Sequence, residues 1–257
     1  MTDDIQTQFQ NGLLALGVRR GGILLVHSSL RSLGTVPGGA ETVIEGLLNV
    51  LGDEGTLLMP ALSYELVKRS NPYFDVTKTP SNVGALPEFF RLREGTQRSV
   101  HPTHSVCAVG RLALQISEHH IEDTTPCGPN SPFYLLPEYN GQILMLGCGL
   151  EPNTSMHAIE ELVEPPYLYN PETEYHITLA NGAQITKTYK SHNFHGWHQR
   201  YDRIEQVMVN GLQRGQVLNA NCYLLESQAL WNCVLPVLLK DPLRFVSKAE
   251  PADGEQI

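Results

Sequence analysis

The sequence predicts an α/β fold, a mixed and mostly parallel sheet carrying helices, with an antiparallel hairpin in its second half. Two observations carry this. From about residue 22 to residue 163, short apolar runs bounded by Gly and Pro alternate with amphipathic helical patterns, the spacing of strand, helix and strand units. Beyond residue 173, two alternating runs flank Asn181-Gly182, the strongest short-range hairpin signal. The 257 residues, 41% apolar and 18% charged, suffice for a sizeable core. No repeat or low-complexity linker divides them, and Pro165-Pro166 to Pro171 is too short a break for two units, so one domain over 1–257 is expected.

The elements follow in order. Residues 22–27 (GILLVH) read as a buried strand, and 40–51 as a helix with Val43, Ile44, Leu47, Leu48 and Leu51 on one face. A short strand at 55–59 is stopped by Pro60, and a weaker helical pattern runs from 83 to 93. Residues 105–109 and 142–146 are strands running into Gly110 and Gly147, and 154–163 is a helix opened by Asn153 or Thr154. The hairpin strands are 174–179 and 184–189. A helix over 196–212, a strand over 216–224 and a helix over 227–239, with Pro236 near its end, complete the chain.

Eighteen Lys and Arg against 27 Asp and Glu give a net charge of −9 without a basic run, which repels a nucleic-acid backbone and suits a cationic amine ligand. No stretch approaches the roughly 18 apolar residues of a membrane helix. Asp3 and Asp4 at the start are unlike an export signal, so neither membrane nor secretion is expected. Cys107, Cys127, Cys148, Cys222 and Cys233 form no CxxC pair and are odd in number, which speaks against a disulfide framework or a thiolate zinc site and for the reducing cytosol. A homodimer is the default expectation for a soluble enzyme.

Three groups of residues can carry chemistry. His27 to Gly34 lies at the carboxyl end of the first strand, where open α/β sheets bind ligands. Its serines and Arg31 can meet phosphates, or the loop can simply cap the next helix; the spacing is neither GxGxxG nor a P-loop. On the helix at 154–163, offsets of three and four residues put His157 on one face with Glu160 and Glu161. This is a general base with its orienting carboxylate, or a packed histidine near acids that complement the helix dipole. His101 and His104, and His192, His195 and His198, raise the question of a metal, but no HExxH is present and a polar loop or substrate wall is the favoured reading. No GxSxG elbow accompanies Ser28, Ser29 or Ser105.

The ordered motifs then show a resemblance. Leu25-Val-His-Ser-Ser-Leu-Arg-Ser-Leu-Gly34 with Gly38-Gly39-Ala40, Gly55-Thr-Leu-Leu-Met-Pro60, His101-Pro-Thr-His-Ser105, Gly128-Pro-Asn-Ser-Pro132, Leu144-Met-Leu-Gly147 and Asn153-Thr-Ser-Met-His-Ala-Ile-Glu160 resemble the aminoglycoside 3-N-acetyltransferase family of antibiotic N-acetyltransferases. The likeness is specific from about residue 10 to 165 and looser through Asn219-Ala220 and Asp241-Pro242. It implies a three-layer α/β/α-type fold, distinct from the small N-acetyltransferase fold, and acetyl transfer from acetyl-CoA to an amine without a metal. It also implies coenzyme A contacts from His27, Ser28, Ser29, Leu30, Arg31, Ser32, Leu33 and Gly34 and from His104, Ser105 and Val106. His157 matches the histidine regarded as catalytic, with Glu160 close by.

On that resemblance, His157 takes the proton of the attacking amine while Glu160 holds the imidazole. Read from the residues themselves, Tyr64, Glu65, Asp123, Asn153 and Thr154 are the expected acceptor-binding residues, with Tyr64, Glu65 and Asp123 also readable as ordinary loop residues. Relatives that modify aminoglycosides carry several acids in their middle and late loops; here Thr124 to Asn130 has none. The acceptor is therefore an aminoglycoside or another antibiotic-like amine, with acylation of a biosynthetic amine as the alternative. A metal-dependent hydrolase and a silent ligand-binding protein are the remaining readings.

Overall fold

A computed structural model of the chain describes residues 2–249. Its elements run α1 (Thr2–Leu16), β1 (Ile23–Ser28), α2 (Gly39–Leu51), β2 (Thr56–Pro60), β3 (Tyr73–Asp75), α3 (Ala85–Leu92), β4 (Gln97–Arg98), β5 (Val106–Gly110), α4 (Ala113–Ser117), α5 (Pro132–Leu135), β6 (Gln142–Leu146), α6 (Ser155–Val163), β7 (Thr173–Thr178), β8 (Gln184–Tyr189), β9 (Trp197–Gln199), β10 (Leu212–Val217), β11 (Ala220–Glu226), α7 (Ser227–Lys240) and β12 (Val246–Lys248).

The central sheet has the order β10-β11-β6-β1-β2-β5-β4. Both faces of β1 are buried, as expected of a continuous apolar run, and successive residues point to opposite sides. Leu24 and Val26 join Phe9, Leu13, Ile44, Leu47 and Phe90 from α1, α2 and α3. Ile23 and Leu25 join Ile116, Phe133, Ile159 and Val234 from α4, α5, α6 and α7. The result is the expected three-layer α/β/α sandwich. Gly46 lets α1 approach α2, since a Cβ there would lie 2.6 Å from the Phe9 ring.

The expectation of a mostly parallel sheet is corrected. Within the central sheet only β1 pairs in parallel, with β2 and with β6; β2–β5, β5–β4, β6–β11 and β11–β10 are antiparallel. Helical crossovers read from sequence fix how consecutive elements pack but not which neighbour a later strand selects. The Asn181-Gly182 hairpin forms as expected between β7 and β8, yet it belongs to a separate three-stranded sheet with β3.

Three further differences have local causes. The helix expected over 196–212 is absent: Gly196 has φ +77°, β9 pairs with β12, and a 3-10 turn at Tyr201–Gln206 buries Tyr201 and Ile204. The strand expected over 216–224 is a hairpin, with Leu218 in the left-handed region (φ 51°) between β10 and β11. Sequence patterning assigned no element to α1. No helix among the described residues is long and apolar enough to cross a membrane.

Candidate active site

β1, β2 and β6 run in parallel, so their carboxyl ends lie together, and the strand order turns about β1, with β2 on one side and β6 on the other. Such a switch point leaves a crevice where the crossovers part. A cavity of about 780 Å³ opens there, lined by His27 and Ser28 from β1, Pro60 from β2 and Cys148 after β6. The amino end of α6 adds Asn153, Thr154 and His157, the loop before β5 adds His104, and the segment after β8 adds His192, Phe194 and Gln199.

Each catalytic-type side chain has a local reason for its place. Asn153 Oδ1 accepts the Ser155 N–H at 3.2 Å, starting α6 one turn before His157. Three residues on, Glu160 shares the helical face, and its Oε2 lies 2.8 Å from His157 Nδ1. Both are buried, Glu160 completely. Tyr167 donates to Glu160 Oε1 at 2.8 Å and Tyr201 to Oε2 at 2.7 Å, so the carboxylate is held by two phenols and an imidazole. A carboxylate accepts only, which puts the imidazole proton on Nδ1 and leaves the Nε2 lone pair free to accept; Gln199 Nε2 lies 3.5 Å from it.

A second pair stands beside the first. His192 Nε2 lies 2.7 Å from Glu161 Oε1, and Glu161 also accepts the Cys127 N–H at 2.8 Å. Burial raises the Glu161 carboxyl to about 7. The His192 ring centroid is 4.6 Å from that of His157 and 4.8 Å from that of His104. His104 is set by its own loop: His101 Nδ1 accepts the His104 N–H at 3.0 Å, and Thr103 Oγ1 meets His104 Nδ1 at 2.9 Å. Burial, with neighbouring imidazoles, holds His104 and His192 well below the usual histidine range and brings His27 down to about 3. These rings are neutral at pH 7, and no Asp or Glu lines the cavity among the described residues; its charges are Lys68 and Arg69.

The residues expected to bind ligand divide into those the cavity gathers and those it does not. His27, Ser28, His104, Tyr64, Asn153 and Thr154 line it. Ser29 to Gly34 form the turn leading away: Leu33 is in the core, Arg31 is exposed, and Ser32 Oγ donates to the Gly147 carbonyl at 2.7 Å. Ser105 and Val106 are fully buried, Ser105 Oγ donating to the Ala61 carbonyl. Glu65 is exposed outside the cavity. Asp123 is buried and accepts Asn130 N and Nδ2, which makes it the anchor of its loop; burial raises its carboxyl. Of the three histidines at 192, 195 and 198, His192 and His198 reach the cavity and His195 does not.

A family model for aminoglycoside 3-N-acetyltransferase matches residues 25–238. The chain belongs to the aminoglycoside 3-N-acetyltransferase family. Members of this family are acyltransferases. The chain is 32% identical over 244 residues to aminoglycoside N(3)-acetyltransferase IV of Salmonella sp., covering 93% of this chain and 88% of that one. It is 33% identical over 178 residues to aminoglycoside N(3)-acetyltransferase VII of Streptomyces paromomycinus, 63% of this chain but only 62% of that protein's length. Among solved structures, AAC-IIIb in binary complex with CoASH superimposes with a TM-score of 0.80 at 25% identity, covering 96% and 98% of the two chains.

Within this aminoglycoside 3-N-acetyltransferase fold, Tyr167, Tyr201, Gln199 and the Glu161–His192 pair were not marked as a site by sequence reasoning. Glu161 was visible at the right helical offset and His192 within its histidine group. Nothing in the local sequence of Tyr201, 41 residues from Glu160, signals that its hydroxyl reaches that carboxylate.

Proposed function

We propose that the protein transfers an acetyl group from acetyl-CoA to the amine of an antibiotic-like acceptor, with His157 Nε2 as the general base. The observation that carries this is the Nδ1–Glu160 contact, which leaves a basic nitrogen facing the cavity. An ammonium has no lone pair. His157 takes its proton, the nitrogen attacks the thioester carbonyl, the C–N bond forms as the C–S bond breaks, the proton on His157 passes to the departing thiolate, and the second proton shed by the nitrogen as it becomes an amide leaves to solvent. Glu160 stabilises the imidazolium formed in between.

The carbonyl oxygen gains charge in this step and needs donors. Ser28 and Asn153 line the cavity, and Ser28 Oγ and Asn153 Nδ2 are buried with no partner among the described residues, which supports them in that role over Ser29, whose hydroxyl already meets Ser32. For the donor, the proposed contacts are His27, Ser28 and His104 in the cavity wall and the exposed Arg31 on the turn beyond, with Lys68 and Arg69 offering the positive charge that coenzyme A phosphates require. The CoASH complex of AAC-IIIb supports the choice of donor.

The names of the relatives favour an aminoglycoside acceptor. One observation favours the second reading, a biosynthetic amine of low charge: the described cavity wall carries two cations and no carboxylate to hold a polycation. Thiol release from acetyl-CoA, measured with aminoglycosides and with monoamines and confirmed by product mass, tests both. Turnover with either group supports acyl transfer and chooses the acceptor class. Tight acetyl-CoA binding without transfer to any amine overturns the enzyme reading in favour of a binding protein.

A further inference from the structure

Three imidazoles from three separate chain segments converge in the cavity: His104 from the loop before β5, His157 from α6 and His192 from the segment after β8. One ring nitrogen of each lies within 4.8 Å of the others. We propose that they form a capture site for a divalent transition metal such as Zn²⁺, which inhibits the enzyme by occupying its base. The inhibitory consequence rests on the acyltransfer reading; the binding itself does not.

The outer nitrogen of each ring is already taken. Glu160 holds His157 Nδ1 at 2.8 Å, Glu161 holds His192 Nε2 at 2.7 Å, and Thr103 Oγ1 holds His104 Nδ1 at 2.9 Å. The nitrogens left over are His157 Nε2, His192 Nδ1 and His104 Nε2. His192 Nδ1 is buried with no partner among the described residues, an orphaned polar atom on a ring of the group. Imidazoles backed by carboxylates or hydroxyls are what the outer shell of a metal site supplies, because the second hydrogen bond fixes the tautomer and raises the basicity of the free nitrogen.

The donor set selects the ion. Three imidazoles and no carboxylate oxygen suit Zn²⁺, Co²⁺, Ni²⁺ or Cu²⁺ and not Mg²⁺ or Ca²⁺. Metal–nitrogen bonds of about 2.0–2.1 Å in a tetrahedron put the nitrogens roughly 3.3 Å apart. The rings must therefore draw inward by under about 1 Å each, and the fourth position opens to the cavity. His157 Nε2 has one lone pair, so it takes either the metal or the proton of the acceptor amine.

The test uses the full chain, freed of any histidine tag and of metal, titrated with Co²⁺ and then with Zn²⁺. Equimolar binding with the visible absorption of tetrahedral cobalt, displaced by zinc, is expected. His104→Gln and His192→Gln should each weaken it at least about tenfold, and Glu161→Gln about 10- to 100-fold through its support of His192. Circular dichroism confirms folding, and either histidine variant suffices if the other fails to fold. Zinc near stoichiometry should abolish turnover, with EDTA restoring it. No cobalt spectrum in the wild type, or equal affinity in both histidine variants, overturns the site. Turnover untouched by bound zinc overturns the inhibition while leaving the enzyme reading intact; metal binding by a protein that acetylates no amine does the reverse.

Discussion

The Tyr201 hydroxyl lies 2.7 Å from Glu160 Oε2 and 3.0 Å from His157 Nδ1, so a residue 41 positions beyond Glu160 fixes the carboxylate that fixes the imidazole. Tyr201 is fully buried and its proton is firmly held, burial and the neighbouring Glu160 raising the phenol well above its usual range. Tyr201→Phe removes a donor to a buried carboxylate. A loss of about 1.5–3 kcal/mol in stability is expected, together with a kcat roughly tenfold lower at unchanged KM. Steady-state kinetics and a thermal melt check both. Equal loss in KM and kcat would mark Tyr201 as packing alone.

The same relationship shows what sequence can and cannot reveal. His157 and Glu160 were legible because they lie three residues apart on one helix, where periodicity fixes their geometry. β1 and the Asn181-Gly182 hairpin were legible for the same reason, since each is decided by contacts within a few residues. Tyr201 was not, because its position depends on β9 pairing with β12 and on Gly196 breaking the helix expected there. The antiparallel partners of β2 and β6 were likewise illegible, being chosen across long separations rather than by local pattern. Asp123, expected at the acceptor, is absent from the described cavity lining and accepts the Asn130 N–H.

A cation deep in the scaffold gives a stability prediction. Arg98 donates to the carbonyls of Val76, Thr79 and Ala61 at 3.1, 2.6 and 2.8 Å and to Ser105 Oγ at 2.8 Å, tying the region around β3 to the central sheet. Arg98→Ala leaves three carbonyls without this partner and should cost about 3 kcal/mol or more in urea unfolding. Arg98→Lys, with one compact head in place of the fork, should recover only part of that.

Acid should destabilise the fold through its buried histidines. His120 is held at about 4 and His27 at about 3, chiefly by burial, against 6.5 when unfolded, and His101, His104 and His192 are also pushed well down. Between 6.5 and those values the unfolded chain binds more protons, so stability is full above 6.5 and is lost as pH falls towards 4 and 3. Glu161 acts in the opposite sense: raised from 4.5 to about 7, it contributes stability that is lost as pH rises through 7. Asp123, its carboxyl also raised by burial, acts in the same sense as Glu161, and the five histidines outweigh these two carboxyls. Calorimetry should show a melting temperature falling steeply below pH 6.5, and a flat profile down to about pH 5 would contradict these assignments.

Charge reversal at the cavity mouth tests the donor site. Lys68→Glu combined with Arg69→Glu should raise KM for acetyl-CoA about tenfold, with a weaker dependence on salt than the wild type, as expected when phosphate contacts are lost. Unchanged KM and salt dependence would move the phosphates elsewhere, the exposed Arg31 being the next cation along the proposed segment.

The most direct test of the central claim is the turnover of His157→Ala beside its affinity for acetyl-CoA. Removing the base should lower kcat about 10²- to 10⁴-fold while calorimetric binding of acetyl-CoA stays within about twofold. Turnover within tenfold of the wild type would contradict His157 as the group that takes the acceptor's proton.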